Sequence, residues 1–329
     1  MADERWILSV ISEVSFAASP HLKRLREDYN IVFLTDFDKD RESFYDKLKV
    51  IILSPADNGM EINEEFLRKS RNLKALVTIS TGISHIDIPL LRKFNVKVYS
   101  VSGSVTAETT ADQGFLLMMM ASRRIMEFIE VAKTYTVSSV EEEASTSWEV
   151  PLRLIGCDVH HATLGIVGMG WIGFEVAKRA KGFQMKVLYH NRHRRDDDVE
   201  VGATYCPTLE DLLPHVDYLM LTPPLTEETR GMMGRDQMKL MKASAIIINV
   251  STVCPIIVTD DLVQALKDGT IGGAALDVTD PEPLPINHPL LHMPNVIISP
   301  HVGMYTREGI ARITSASAED VRAAMDDGE

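Results

Sequence analysis

Short apolar runs alternate with amphipathic stretches along most of the chain. The runs "RWILSVIS", "NIVFLT", "KVIILS", "LKALVTIS" and "VKVYSV" carry near-continuous aliphatic residues rather than a strict polar–apolar alternation. That pattern marks strands buried on both faces, as in parallel sheets. Between them, "HLKRLREDY" and "NEEFLRKSRN" repeat apolar positions at helical spacing, giving a βα series over residues 4–101. A long helical stretch is predicted from about Ala107 to Lys133, through "GFLLMMMASRRIMEFI". The acidic run "SSVEEEASTSWEVP" then reads as an exposed loop. A second βα series opens at "ATLGIVGMG", with further strands near "MKVLYHN", "ATYC", "DYLMLTP", "AIIINV", "GGAALDV" and "NVIISPH". Helices are predicted near Thr259 and from about Thr306 onward. The two series match in plan but not in sequence, so they are not a short-period repeat. The expected fold is α/β, with two doubly wound parallel sheets.

Composition changes this picture little. The 329 residues suffice for two domains, and 45% hydrophobic with 25% charged residues is ordinary for a globular chain. A formal net charge of -13 argues against nucleic acid as the main partner. Cys157, Cys206 and Cys254 are odd in number and lack metal-like spacing, so no metal is expected and a reducing, cytoplasmic compartment is. The N-terminal "WILSVI" reads as a strand rather than a signal peptide, and no apolar stretch approaches the length of a membrane span.

The first chemistry-bearing motif is "LGIVGMGWIGFEVAKRA", with Gly168, Gly170 and Gly173 in a G-x-G-x-x-G pattern. It follows a strand and opens a helix, the context in which the pattern binds a dinucleotide. Gly168 allows the tight turn, Gly170 the close approach of a pyrophosphate, and Gly173 close helix–strand packing. The intervening Met169, Trp171 and Ile172 complete the turn and the helix N-terminus that faces the phosphates. Enzymes that use NAD carry an acid about 20 residues later, on the ribose 2′-hydroxyl. Here "LYHNRHRR" puts Asn191 at that place, followed by Arg192, Arg194 and Arg195. Arginines suit a 2′-phosphate, so NADP(H) is expected over NAD(H), with Asn191, Arg192 and Arg195 as the reading residues.

The second informative stretch is "ALDVTDPEPLPINHPLLHMPNVIISPHVG". Asp277 ends a strand, Glu282 lies in the following loop, and His301 ends the last strand. All three fall at carboxyl ends of strands, where doubly wound sheets bind ligands. Histidine is the usual proton donor to a carbonyl under reduction, and a carboxylate bonded to it fixes its tautomer and raises its pKa.

Together these segments resemble the D-isomer-specific 2-hydroxyacid dehydrogenases, and most of all their glyoxylate/hydroxypyruvate reductase branch. The resemblance runs over nearly the whole chain. "STGISHID" resembles the family's substrate loop, which implies that backbone N–H groups at Thr81 and Gly82 hold a substrate carboxylate. "ETTADQGFLLMMM" resembles the interdomain helix, with Thr110 toward the cofactor. "LGIVGMGWIG" and "LTPPLTEETRGMMG" resemble cofactor-binding segments, which implies roles for Thr222, Pro223 and Thr229. By the same resemblance Val250, Ser251, Asp277 and Gly303 lie along the cofactor, and "LDVTDPEP" with "SPHVG" supplies the catalytic Glu282 and His301. The implied layout is a flavodoxin-like substrate domain, residues 1–104 plus 304–329, and a Rossmann NAD(P)-binding domain, residues 105–303. A homodimer is also implied, formed through the interdomain helix and neighbouring loops, with a small 2-oxo acid as substrate.

The departures matter as much. Where the family has a catalytic arginine in an "N-x-(small)-R-G" motif, this chain reads "NVSTVC", so Thr252 stands at the arginine's place and Val253 at the glycine's. No charged side chain occurs from Ala245 to Ile257, and the loop is one residue longer. Gly103 and Trp171 also replace residues common among relatives. Two readings stay open. One is a slow or altered NADP-dependent reductase; the other is a weak or inactive dinucleotide-binding homologue with a sensor, structural or partner-binding role. Arg307, Arg123 and Arg124 are substitutes for the missing cation to be weighed against ordinary surface roles, and Cys254 has no evident base to make it a nucleophile.

Overall fold

The computed structural model describes residues 5–54, 60–83, 86–138, 152–251 and 255–326. The chain divides into two compact units, residues 1–106 with 305–329, and residues 107–304.

The first unit holds a five-stranded sheet of β1 (Trp6–Ser9), β2 (Asn30–Phe33), β3 (Leu48–Leu53), β4 (Ala75–Thr78) and β5 (Lys97–Ser100). Every pairing is parallel, in the order β2-β1-β3-β4-β5. This is the flavodoxin-like order of a doubly wound sheet. The strands are the apolar runs read from the sequence, and β3 and β4 are almost wholly buried. Segment "NIVFLT" ends as a strand at Phe33, and Leu34–Phe37 forms a short helix. The last helix, Arg307–Asp326, returns to this unit. Its Ala318, Val321, Ala324 and Met325 join Ile7, Val50, Ile52 and Val77 in one apolar cluster.

The second unit holds seven parallel strands: β6 (Thr163–Val167), β7 (Lys186–His190), β8 (Ala203–Tyr205), β9 (Tyr218–Leu221), β10 (Ile246–Asn249), β11 (Gly273–Leu276) and β12 (Val296–Ile298). Their order is β12-β11-β10-β9-β6-β7-β8. Counted from β6, this is the Rossmann order with one more strand beyond β11, and the order reverses between β6 and β9. Strands β9, β10 and β11 are buried almost throughout, as their uninterrupted apolar sequences require. The helix Thr259–Lys267 buries Leu262, Val263, Ala265 and Leu266. Asp260 and Asp261 in its first turn and Lys267 in its last complement the helix dipole.

One sequence expectation fails locally. The stretch from Ala107 to Lys133 is two helices, Gly103–Ser122 and Ile125–Ser138. Arg124 adopts φ 51°, a left-handed conformation that stops a right-handed helix. The Ser122 carbonyl bonds instead to the Cys157 N–H at 2.8 Å, and Gly156 packs so closely on Ser122 that a Cβ there would lie 2.2 Å from that carbonyl oxygen. The break is therefore fixed by Gly156 and Cys157, far downstream in sequence, which local periodicity cannot reveal. The acidic stretch over residues 139–151 lies outside the described residues.

Candidate active site

The glycine turn sits at the carboxyl end of β6, beside the point where the strand order reverses. Gly168 has φ 88°, and a Cβ there would lie 2.5 Å from the Pro223 backbone. Both facts require glycine. A Cβ on Gly173 would lie 2.8 Å from the Gly168 carbonyl and 3.0 Å from Thr222 Oγ1, so this residue lets the helix Trp171–Gly182 press onto the sheet. Gly170 differs: beyond a Gly168 oxygen at 4.0 Å, a Cβ would meet open space. It is the helix N-cap and no side chain caps that end. An open face, helix N–H groups without a side-chain cap and a glycine between them are what a pyrophosphate requires, so these residues fit a dinucleotide. Thr222 Oγ1 bonds the Gly168 carbonyl at 2.8 Å and so holds the turn from the β9 side. Thr229 Oγ1 donates to the Pro224 carbonyl at 2.7 Å and accepts from the Thr226 N–H at 2.8 Å, closing the loop after β9.

At the end of β7, Asn191 turns both amide groups onto Met169. The three arginines beside it are unequal. Arg194 pairs with the buried Asp198 at 2.8 Å, and Asp198 also accepts the Tyr189 hydroxyl at 3.0 Å. The Arg194 hydrogen bond, outweighing burial, holds the Asp198 carboxyl below the usual carboxylate range. Arg195 forms two bonds to Asp197, donates to the Met169 carbonyl at 3.1 Å and lies 4.8 Å from the Phe174 ring centroid. Its expected role as a spare cation for a phosphate is thus qualified, because Asp197 already neutralises it. Arg192 is exposed and has no ion pair among the described residues.

The second cluster lies at the ends of β11 and β12. His301 Nδ1 is 2.7 Å from Glu282 Oε1, and Glu282 Oε2 accepts from the Thr279 N–H at 3.3 Å. The hydrogen bond to Glu282 raises the His301 pKa above its ordinary value, against the opposing effect of burial. Burial pushes the Glu282 carboxyl up, but the bond and charge from His301 outweigh it and pull its pKa below normal. Asp277 makes no hydrogen bond to the imidazole, although its charge adds to the rise of the His301 pKa. It is buried, and its carboxylate accepts from the Val302 and Gly303 N–H groups at 3.0 and 2.8 Å and from Ser299 Oγ at 2.5 Å. His301 itself has φ 53°. Such a conformation costs on the order of 1–3 kcal/mol, which two backbone bonds to a charged carboxylate, each worth about 1.5–3 kcal/mol, are able to offset. Asp277 therefore shapes the loop that presents His301. Gly303 completes it: a Cβ there would lie 3.0 Å from Asp277 Oδ2 and 3.3 Å from Thr110 Cγ2, which puts Thr110 against the same loop.

Two contributors, Gln113 and Ser299, escape sequence reasoning. Gln113 Nε2 donates to Ser299 Oγ at 3.1 Å and reaches Asp277 Oδ1 at 3.4 Å. The only sequence signal is a lone amide just before the apolar run of the helix Gly103–Ser122. Val250 and Ser251 are buried, and Ser251 bonds Asn249 through both its N–H and its hydroxyl. Thr252 lies outside the described residues, with Val253 and Cys254. Arg124 is committed to Glu127 at 2.6 Å, while Arg123 and Arg307 are exposed. In the first unit, Thr81 and Gly82 follow β4 at its carboxyl end, where Ser80 Oγ donates to the Gly82 carbonyl at 2.7 Å.

Residues 115–303 match the model of the D-isomer specific 2-hydroxyacid dehydrogenase, NAD binding domain. The chain belongs to that family. Its dehydrogenase fold and its nicotinamide-dinucleotide-binding domain follow from that membership. The chain is 40% identical to glyoxylate/hydroxypyruvate reductase B of Yersinia pestis bv. Antiqua (strain Nepal516) over 253 residues, 76% of this chain and 74% of that one. It is 39% identical to the glyoxylate reductase of Korarchaeum cryptofilum (strain OPF8) over 261 residues, 79% and 75% of the two chains. A crystal structure of a glyoxylate reductase from Paecilomyes thermophila superposes with a TM-score of 0.81 at 26% identity, covering 100% of this chain and 97% of that one. No helix among the described residues is long and apolar enough to cross a membrane.

Proposed function

We propose that this dehydrogenase reduces a small 2-oxo acid of the glyoxylate or hydroxypyruvate class to the D-2-hydroxy acid, with NADPH preferred over NADH. The observation that carries the reading is the His301–Glu282 pair, on the same sheet edge as a glycine turn that fits a pyrophosphate. The dinucleotide, when bound, supplies a hydride to C2 of the acid. His301 Nε2 delivers the proton to the forming alkoxide, and Glu282 keeps Nδ1 protonated and stabilises the imidazolium beforehand. Asp277, with Ser299, holds the loop that aims the ring. Residues 105–303 serve as the dinucleotide domain. Residues 1–104 with 304–329 serve as the substrate domain, where the N–H groups of Thr81 and Gly82 hold the carboxylate.

Thr252 in the arginine's place makes turnover slow. Losing a buried charged partner costs on the order of 2–5 kcal/mol, equivalent to roughly 30- to 4,000-fold if expressed in the transition state. The coenzyme preference rests on Asn191 in place of an acid and on the exposed Arg192. We place the protein as a homodimer. Leu116, Met119, Ile125, Met126 and Ile129 are all exposed on two successive helices, an apolar face that suits a second copy. The test is NADPH consumption with a panel of 2-oxo acids, alongside NADPH and NADH binding isotherms. Rapid reduction of an unrelated carbonyl compound, or tighter binding of NADH, contradicts the reading.

A further inference from the structure

Asn191 stands where an acid reads the ribose in NAD enzymes, and a neutral residue there is ordinarily taken to leave room for a 2′-phosphate. Its amide is engaged elsewhere. Oδ1 accepts from the Met169 N–H at 2.6 Å, and Nδ2 donates to the Met169 carbonyl at 3.3 Å. Met169 is the middle residue of the Gly168–Gly170 turn and is fully buried. The same carbonyl takes a second bond from Arg195, which Asp197 and Phe174 hold in place. The turn also receives the Thr222 hydroxyl on the Gly168 carbonyl, and its Gly168 N–H donates to the His190 carbonyl at 2.9 Å. The peptide groups leading into the open Gly170 are thus fixed from both neighbouring strands.

We infer that Asn191 is a positioning residue: it clasps both peptide groups of Met169 so that the turn stays set for a pyrophosphate, and it does not itself read the ribose. This rests on the dinucleotide reading of the glycine turn given above. The chemistry of the clasp is particular to an amide. Buried peptide groups need partners, and only a side chain with one donor and one acceptor satisfies an N–H and a C=O of the same residue. Aspartate still accepts from the Met169 N–H but has no donor for the carbonyl, and it sets a carboxylate oxygen against a carbonyl oxygen. Leucine satisfies neither group.

Two isosteric variants separate this role from ribose reading. Isothermal titration of the coenzyme-free protein with NADH and with NADPH is run on the unmodified chain, Asn191→Leu and Asn191→Asp. With the clasp lost, Asn191→Leu weakens both coenzymes by a similar factor, about tenfold for two neutral hydrogen bonds. Asn191→Asp weakens NADH as well, whereas a ribose-reading acid tightens it. Loss of NADPH binding alone in Asn191→Leu, or tighter NADH binding in Asn191→Asp, overturns the inference. The aspartate variant changes one atom, so its NADH titration decides the matter if the leucine variant fails to fold. Amide exchange at Met169 reads the clasp without any coenzyme. It accelerates in Asn191→Leu, or in Asn191→Ser if the leucine variant unfolds, and an unchanged rate overturns the clasp. If the unmodified chain binds neither coenzyme, the dinucleotide reading fails, while the exchange experiment still judges the clasp.

Discussion

The ends of β7 and of β11–β12 are both charged loops on the same edge of one sheet, yet they spend their charge differently. After β7, Arg194 is bonded to Asp198 and Arg195 to Asp197, and the Asn191 amide is closed on Met169. These groups brace one another and the glycine turn. After β11 and β12, Asp277 is consumed by backbone N–H groups, and Glu282 takes only one side of the His301 ring. Nε2 of that ring has no hydrogen bond among the described residues, and two-fifths of the side chain is exposed, at 41%. The first loop holds its charge in place; the second leaves one titratable atom at liberty. Residue type alone does not distinguish the two, because pairing decides what a charge is available to do.

The sharpest way to break this comparison is His301→Ala. Loss of a general acid is expected to cut the reduction rate by about 10²–10⁴-fold, while NADPH affinity in a titration stays nearly unchanged. Activity that survives places the proton donor elsewhere. Next in size, replacing the loop from Ser251 with a Ser-Arg-Gly version of family length is expected to raise kcat for small 2-oxo acids by tenfold or more, the low end of the estimated cost of the missing cation. A graft that folds, binds NADPH and gains nothing shows that the arginine is not the limiting defect. Arg192→Ala and Arg195→Ala test the other loop. The first is expected to weaken NADPH a few-fold, on the order of one exposed charge, and to spare NADH. The second removes a brace shared by either coenzyme, so both are weakened and the melting temperature falls. Selective loss of NADPH in Arg195→Ala contradicts the bracing role.

The smallest effect is a displacement in pH. His301 is raised by Glu282, so the protonated donor is lost only as pH rises through a value above the ordinary histidine figure of about 6.5. The alkaline limb of the reduction rate therefore lies above that figure, and Glu282→Gln moves it to lower pH. The same shifts bear on stability. His301 contributes fully below its unfolded pKa and ceases to contribute as pH rises through its raised folded value. Glu282 contributes above its unfolded pKa and ceases as pH falls through its lowered one. A limb unmoved in Glu282→Gln removes the carboxylate from the acid–base pair.

Strand positions were legible because a buried parallel strand leaves a nearly unbroken apolar run, and the twelve strands among the described residues stand where the runs do, although β5, β8 and β12 have no fully buried position. The glycine turn was legible for a different reason: its G-x-G-x-x-G spacing between a strand and a helix is a local signal, even though the neighbours that crowd Gly168 and Gly173 include the remote Pro223 and Thr222. What escaped depends on partners remote in sequence. The break at Arg124 is set by Gly156 and Cys157. Gln113 meets Ser299 across 186 positions. Arg195 is the exception: its partner Asp197 lies only two positions away, but the run "DDDVE" does not say which of its acids pairs with it.

The left-handed backbone at His301 also limits how this station is able to drift. A histidine tolerates φ 53° at modest cost, and asparagine, aspartate and glycine tolerate it better, whereas a β-branched residue does not. Substitutions that abandon the chemistry while keeping the loop intact are thus confined to a few polar or small residues. A lineage that no longer needed reduction would be expected to carry Asn or Gly here long before Val or Ile. The histidine retained in this chain sits in a loop whose shape admits such replacements.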